Sequence, residues 1–221
     1  MTEQTTQKKY ELLKDDTVEH FGRTLYRIKA LITFGLVGAG QLGGYIETEK
    51  NLDHSGNAWV YDNARVCGDA CVYGNAGVYD NAWVYDNARV YGNARVYGNA
   101  WVYGDACVYG DAGVYDNAWV YDNARVCGDA RVYDIARVFG DARVRSFAVI
   151  SERKMIFWAS NVGSENGTLT VFNGKFGLIV TRGCFTGTVD EFLSKSKEVH
   201  DDKTHHEYKL LIEVAQSRIL N

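Results

Sequence analysis

Trp83, Trp101 and Trp119 stand eighteen residues apart, and Tyr85, Tyr103 and Tyr121 follow two residues after each. Arg65 and Arg137 continue the first series at its ends, as Cys67 and Phe139 continue the second. Indole and phenol faces attract guanidinium and ammonium groups, so a surface made of them suits a cationic partner. Asp69, Asp86, Asp105, Asp122 and Asp141 fall just after the aromatic series. Asp62, Asp80, Asp116 and Asp134 fall just before it, with Gly98-Asn99 in the gap. Two such carboxylate columns add charge-assisted hydrogen bonding to what the strip offers a Lys or Arg of another protein. Stacked like charges about 5 Å apart cost on the order of 1 kcal/mol per pair even in water, a cost that Asn at the same places would avoid. Asp is also an ordinary turn residue, so a plain scaffold explains the same columns, and the two explanations stay open. Aromatic platforms rimmed by Asp and Asn suit a carbohydrate equally well.

Other residues tempt a chemical assignment and fall short of one. Gly38, Gly40 and Gly43 are spaced as GxGxxG. That fingerprint binds a dinucleotide only between a strand and a helix, with an acidic residue about twenty positions on. The adjoining residues, "GYIETEKNLDHSG", leave no room for a helix before the repeats begin, so a turn is expected. His200, His205 and His206 lie near Asp201 and Asp202, but adjacent histidines on a helix diverge and no further ligands complete a set. Neither a metal nor any other cofactor is expected. Cys184 in "TRGCFTG" has no histidine tied to it by sequence and is read as a small apolar residue.

The element that positions the aromatic and acidic series is a six-residue repeat. Alanine recurs every six residues from Ala58 to Ala148 through sixteen hexads, each with Val, or Ile150 at the last, two residues on. In an extended segment Ala and Val share one side while the intervening residue and the following Tyr share the other. Ala and Val fill a narrow interior, and the Gly/Asp/Asn pair that ends the hexad has the chemistry of a corner. Three hexads make an eighteen-residue triangular coil, and stacked coils align every eighteenth residue about 4.8 Å apart. Two outward faces besides the Trp face carry Gly77, Arg95, Gly113 and Arg131, and Cys71, Arg89, Cys107, Arg125 and Arg143, beside more tyrosines. Residues 71–90 and 107–126 are nearly identical, a duplication of two coils.

On the hexad, as in Val60-Tyr-Asp-Asn-Ala64-Arg, the chain resembles the hexapeptide-repeat, left-handed parallel β-helix family over residues 57–150. The resemblance implies a mainly β fold of about five triangular coils. The family's best-known activity is acyl transfer, with a histidine base and loops extruded from the coils. The sixteen hexads hold neither a histidine nor an insertion, and a three-histidine metal site of the carbonic anhydrase kind is absent on the same ground. His20 and His54, before the repeats, keep a CoA-dependent acyltransferase as the alternative. The whole chain, with "LYRIKAL" and "GGYIE" before the repeats and "GCFTGT" after them, is similar to phage and prophage hexapeptide-repeat proteins such as the YdcK group. These are labelled acyltransferases by fold analogy, which is not site chemistry.

The ends are expected to differ from the repeat, because an open β-helix exposes unpaired backbone. Residues 1–56 are read as a β-rich cap with a turn near Gly22 and a first irregular coil through Ile46 and Leu52. Residues 57–150 are the β-helix. Residues 151–221 are an α+β domain, a strand over Met155–Ala159, a hairpin turning at Asn173-Gly174, and two helices with capping boxes at Thr188/Glu191 and Thr204/Glu207. Copies of the chain would associate through these end domains. The net charge of −4, and only −3 across residues 57–147, with 11 acids against 8 bases, indicates no nucleic-acid surface and argues against DNA mimicry. No run of eighteen apolar residues and no signal-peptide pattern occurs, so the cytoplasm is expected and the membrane is not. The expected function is non-enzymatic binding of a host protein, such as a nuclease or other defence effector, in the manner of an anti-CRISPR. A carbohydrate-binding or structural phage protein is a further alternative.

Overall fold

The computed structural model describes residues 8–221, so the start of the expected 1–56 cap lies outside it. Its body is a left-handed parallel β-solenoid of about six turns. Each hexad contributes a two-residue strand, such as Trp83–Val84, and each strand pairs in parallel with its equivalent one coil away, as Trp101↔Trp119 and Val102↔Val120. Regular hexads account for just over five coils. The sixth is the irregular one, in which Ile46 pairs with Val66 and Leu52 with Val72.

Every Ala and Val of the repeat points inward and is buried, from Ala58 to Ile150, in one continuous core. Burying a Val or Leu side chain contributes roughly 1.5–3 kcal/mol, and the triangular section leaves room beside it only for Ala near each corner. The fifth residue of the hexad takes the left-handed conformation, at Gly68 (φ 70°), Asp86 (φ 59°) and Gly104 (φ 69°) among others. Gly or Asp holds this position, with Ser146 at the last, because that conformation costs other side chains most.

Before the repeats, β1 (Tyr10–His20) and β2 (Arg23–Ala30) form an antiparallel hairpin, and β2 pairs with β3 (Leu42–Ile46), which joins the solenoid in parallel. The cap strands thus extend one face into an eight-stranded sheet. The glycines of the GxGxxG segment serve this junction. A Cβ on Gly43 would lie 2.5 Å from the Val60 carbonyl oxygen, so only Gly lets the chain pass onto the first coil. Lys9 and Tyr10 seal the end. Lys9 Nζ donates to the Ala58 carbonyl at 2.9 Å and Tyr10 Oη to the Leu52 carbonyl at 2.6 Å.

At the other end the expected strand and hairpin are part of a larger sheet. Strands Ile156–Val162, Gly167–Gly174, Gly177–Arg182 and Phe185–Thr188 form four antiparallel strands in that order. The hairpin turns two residues later than Asn173-Gly174, with Asn173 paired to Leu178 and Gly174 to Gly177. Asn173 is needed elsewhere: its Nδ2 donates to the Val149 carbonyl at 3.0 Å, while Gly174 bridges Ala148, docking the sheet on the last coil. Helix α1 (Val189–Val199) starts at the Thr188/Glu191 capping box. Helix α2 (Asp202–Leu220) starts earlier than expected, because the Asp201 carboxylate accepts from Thr204 N–H. Glu207 is thereby freed to accept from Gly163 N–H at 3.1 Å. One face of α2 packs on the sheet through Tyr208, Ile212, Ala215 and Ile219. No helix of the described residues is long and apolar enough to cross a membrane.

Candidate functional site

All the residues singled out for the strip lie on one face, in the predicted order. Arg65 pairs with Trp83, Trp83 with Trp101, Trp101 with Trp119 and Trp119 with Arg137 along the sheet that β3 joins. The flat platform expected from the sequence is not what results. Tyr85, Tyr103, Tyr121 and Phe139 stack on one another at 4.8 to 5.0 Å with interplanar angles of 3–4°. Trp101 and Trp119 do the same at 5.2 Å and 9°. Rings spaced by a coil height spend their faces on each other and show edges to solvent, which closes most of the ladder to a sugar ring or a base. Tyr73, Tyr91 and Tyr109 stack likewise on a second face, and Tyr97, Tyr115 and Tyr133 on the third.

The carboxylates are all exposed, and the two columns differ. After the Trp face the Asp alternates between the fifth hexad position (Asp86, Asp122) and the sixth (Asp69, Asp105, Asp141). Each therefore meets Gly or Asn in the next coil rather than another Asp. Asn87 Nδ2 donates to Asp105 at 3.0 Å, Asn123 Nδ2 to Asp141 at 3.1 Å, and Gly140 N–H to Asp122 at 3.2 Å. The expected stacking of like charges is absent from this column. In the column before the face, Asp62 and Asp80 share the fifth position on adjacent coils, as do Asp116 and Asp134, and Gly98 N–H donates to Asp80 at 2.9 Å.

One step of the ladder is open. Trp83 and Trp101 are 6.3 Å apart and tilted by 42°. The tip of the β1–β2 hairpin lies here, with His20 packed on Trp83 at 3.7 Å and Phe21 against His20 at 4.1 Å. Trp83 is only 8% exposed as a result. His20, Phe21, Arg23, Cys67, Gly68, Trp83, Tyr85, Asp86 and Trp101 line a hollow of about 150 Å³. It opens toward a polar groove that shares Arg23, Gly68 and Asp86 and adds Glu47, Asp69 and Asn87. Arg23 Nη1 donates to both oxygens of Glu47, at 2.8 and 2.9 Å. Burial, and next the charge of Arg65, hold His20 below the usual imidazole range. Burial pushes the Cys67 thiol up to about 11, which keeps it protonated.

The hairpin tip was the part of the site that sequence reasoning left out, apart from His20, which was kept only for the acyltransferase alternative. The signal for it is "HFGR", where an aromatic fills a turn position that normally holds Asn or Asp. His54 lies elsewhere, stacked on Tyr10 at 4.3 Å and accepting from Lys9 N–H at 3.2 Å. His205 faces Ser196, at 3.2 Å, and Cys184 shares a hollow with His200 in the C-terminal domain. Among the described residues no three His, Cys, Asp or Glu are gathered as a metal would require.

Coil, corner and ladder together define a β-solenoid of the hexapeptide-repeat type. The fold is YdcK-like: the family described as the YdcK β-solenoid repeat matches residues 88–104, which run from Ala88 to Gly104 across the Trp101 coil. No curated protein matches the chain.

Proposed function

We propose that this solenoid acts by binding a protein, and that it does so at the end of the Trp face closed by the hairpin tip. The observation that carries this function is the hollow between Trp83, Trp101 and Phe21. Phe21 is 84% exposed and sits at φ 45°, a conformation unfavourable for an aromatic residue. An exposed aromatic kept in a strained turn beside an aromatic pocket is what a contact surface needs and what a scaffold does not. Asp69 and Asp86 at the rim, which form no ion pair among the described residues, favour a partner with a basic surface. The likeness of the whole chain to phage hexapeptide-repeat proteins supports a host protein of the cytoplasm as that partner. A nuclease or other defence effector, as for an anti-CRISPR, is the first class to test. Capture from host lysate by the wild type is expected to yield a partner that Trp101→Ala and Phe21→Ala each lose while staying folded. An unchanged set of captured proteins would overturn the assignment.

Acyl transfer has one observation in its favour, the place of His20 in the wall of the hollow, where a general base would stand. It predicts heat of binding with acyl-CoA donors that His20→Ala leaves intact while abolishing turnover. Calorimetry with no heat for several donors rejects it.

A further inference from the structure

The tryptophan ladder itself shows what its ring faces accept. Arg65 lies over Trp83 with its guanidinium carbon 4.7 Å from the ring centroid, and Arg137 lies over Trp119 at 4.3 Å. Guanidinium groups thus close the ladder at both ends. Between them the Trp101–Trp119 step is shut by stacking at 5.2 Å, whereas the Trp83–Trp101 step stands open at 6.3 Å and 42°. We infer that this opening receives the guanidinium of an arginine on the partner, stacked against Trp101 with Asp86 as its counter-ion. The inference rests on the protein-binding function proposed above.

Charge and shape agree with that occupant. Asp86 is exposed on the rim and forms no ion pair among the described residues; Arg23, the cation that lines the hollow with it, is paired with Glu47. Arg65 lies on the other side of Trp83 in the sheet order, one coil away from the opening. The walls are aromatic on several sides, with Tyr85 edge-on to Trp101 at 6.1 Å and the exposed Phe21 at the mouth. A planar guanidinium stacks on an indole face and offers a fork of donors to a carboxylate, which a lysine ammonium cannot do at once.

The test is a titration of ¹⁵N-labelled protein followed through the indole N–H resonances of its 5 tryptophans. Nα-acetyl-arginine amide is expected to move the Trp83 and Trp101 resonances saturably, in the millimolar range, and to leave buried Trp59 in place. The neutral isostere Nα-acetyl-citrulline amide is expected to move neither. Asp86→Asn, a surface change, is expected to weaken arginine amide several-fold without altering the unliganded spectrum beyond the pocket. Absence of saturable shifts overturns the inference, as does equal binding of the citrulline compound or of Nα-acetyl-lysine amide. Such a failure leaves the protein-binding function standing if capture still depends on Trp101 and Phe21. Capture that ignores both residues, with arginine amide still bound, overturns the function and retains the guanidinium site.

Discussion

Phe21 and Gly22 are both left-handed, at φ 45° and 73°, as a two-residue hairpin turn of this twist requires. Asn suits the first position, and Phe does not. Replacing Phe21 by Asn is therefore expected to stabilise the protein by about 1 kcal/mol in thermal unfolding. The same change is expected to weaken arginine amide binding and partner capture, an exchange of function for stability common at contact sites. The corners offer a matched pair of tests. Gly104 sits at φ 69°, and a Cβ there would lie 2.9 Å from the Asp122 backbone nitrogen. Gly104→Ala is expected to cost about 1–2 kcal/mol in denaturant unfolding. Asp86→Gly, one coil away at the same hexad position, is expected to change stability little, because its backbone is already left-handed.

Within each coil the corner and the ladder carry separate electrostatic loads. Asn87→Asp would set a carboxylate against Asp105, replacing the 3.0 Å amide donor with a like charge. A loss on the order of 1 kcal/mol is expected at low ionic strength, diminishing as salt is added, in melts of the two proteins side by side. The tyrosine ladders respond to alkali. Burial, with the neighbouring Tyr79 next, pushes Tyr61 up to about 12, and a hydrogen bond to Cys127, with burial next, does the same for Tyr109. These rings keep their protons in the folded state above pH 10, while the unfolded chain ionises. The stability they confer is thus complete below about pH 10 and lost as pH rises toward 12. Tyrosinate absorbance is expected to appear together with loss of the β signal in a single alkaline transition, rather than ahead of it. At this scale the sequence was most readable, since a strict period of six assigns each hexad residue to core, face or corner before any coordinate is known. It failed where a side chain left its local motif for a distant partner. Asn173 left its turn to hold Val149, Asp201 took the cap expected of Thr204, and the alternation of Asp with Asn became visible only when coils were laid side by side.

The molecule as a whole is a stack whose units contact only their neighbours, so coils should be removable in whole numbers. Deleting residues 89–106 joins Ala88 to Cys107 in phase and brings Trp119 beside Trp83 in the place of Trp101. This variant is expected to fold cooperatively and to keep the arginine response, with some loss of stability from the Asp86/Asp122 pair that the deletion stacks. Deleting only six residues, 89–94, turns every later face by a third of a revolution and is expected to broaden or abolish the thermal transition. The hairpin's reach onto Trp83 could not be foreseen from periodicity, because it depends on how β1 and β2 leave the edge of the sheet rather than on any local pattern. That reach has a geometric outcome. It pins the hollow to a fixed distance from the N-terminal cap, whereas the C-terminal sheet and helices ride on whichever coil is last. Gain or loss of coils would slide the two ends apart or together in increments of about 4.8 Å. Their mutual orientation would shift only by the small twist of each turn, so the rod works as a graduated spacer with one jaw fixed.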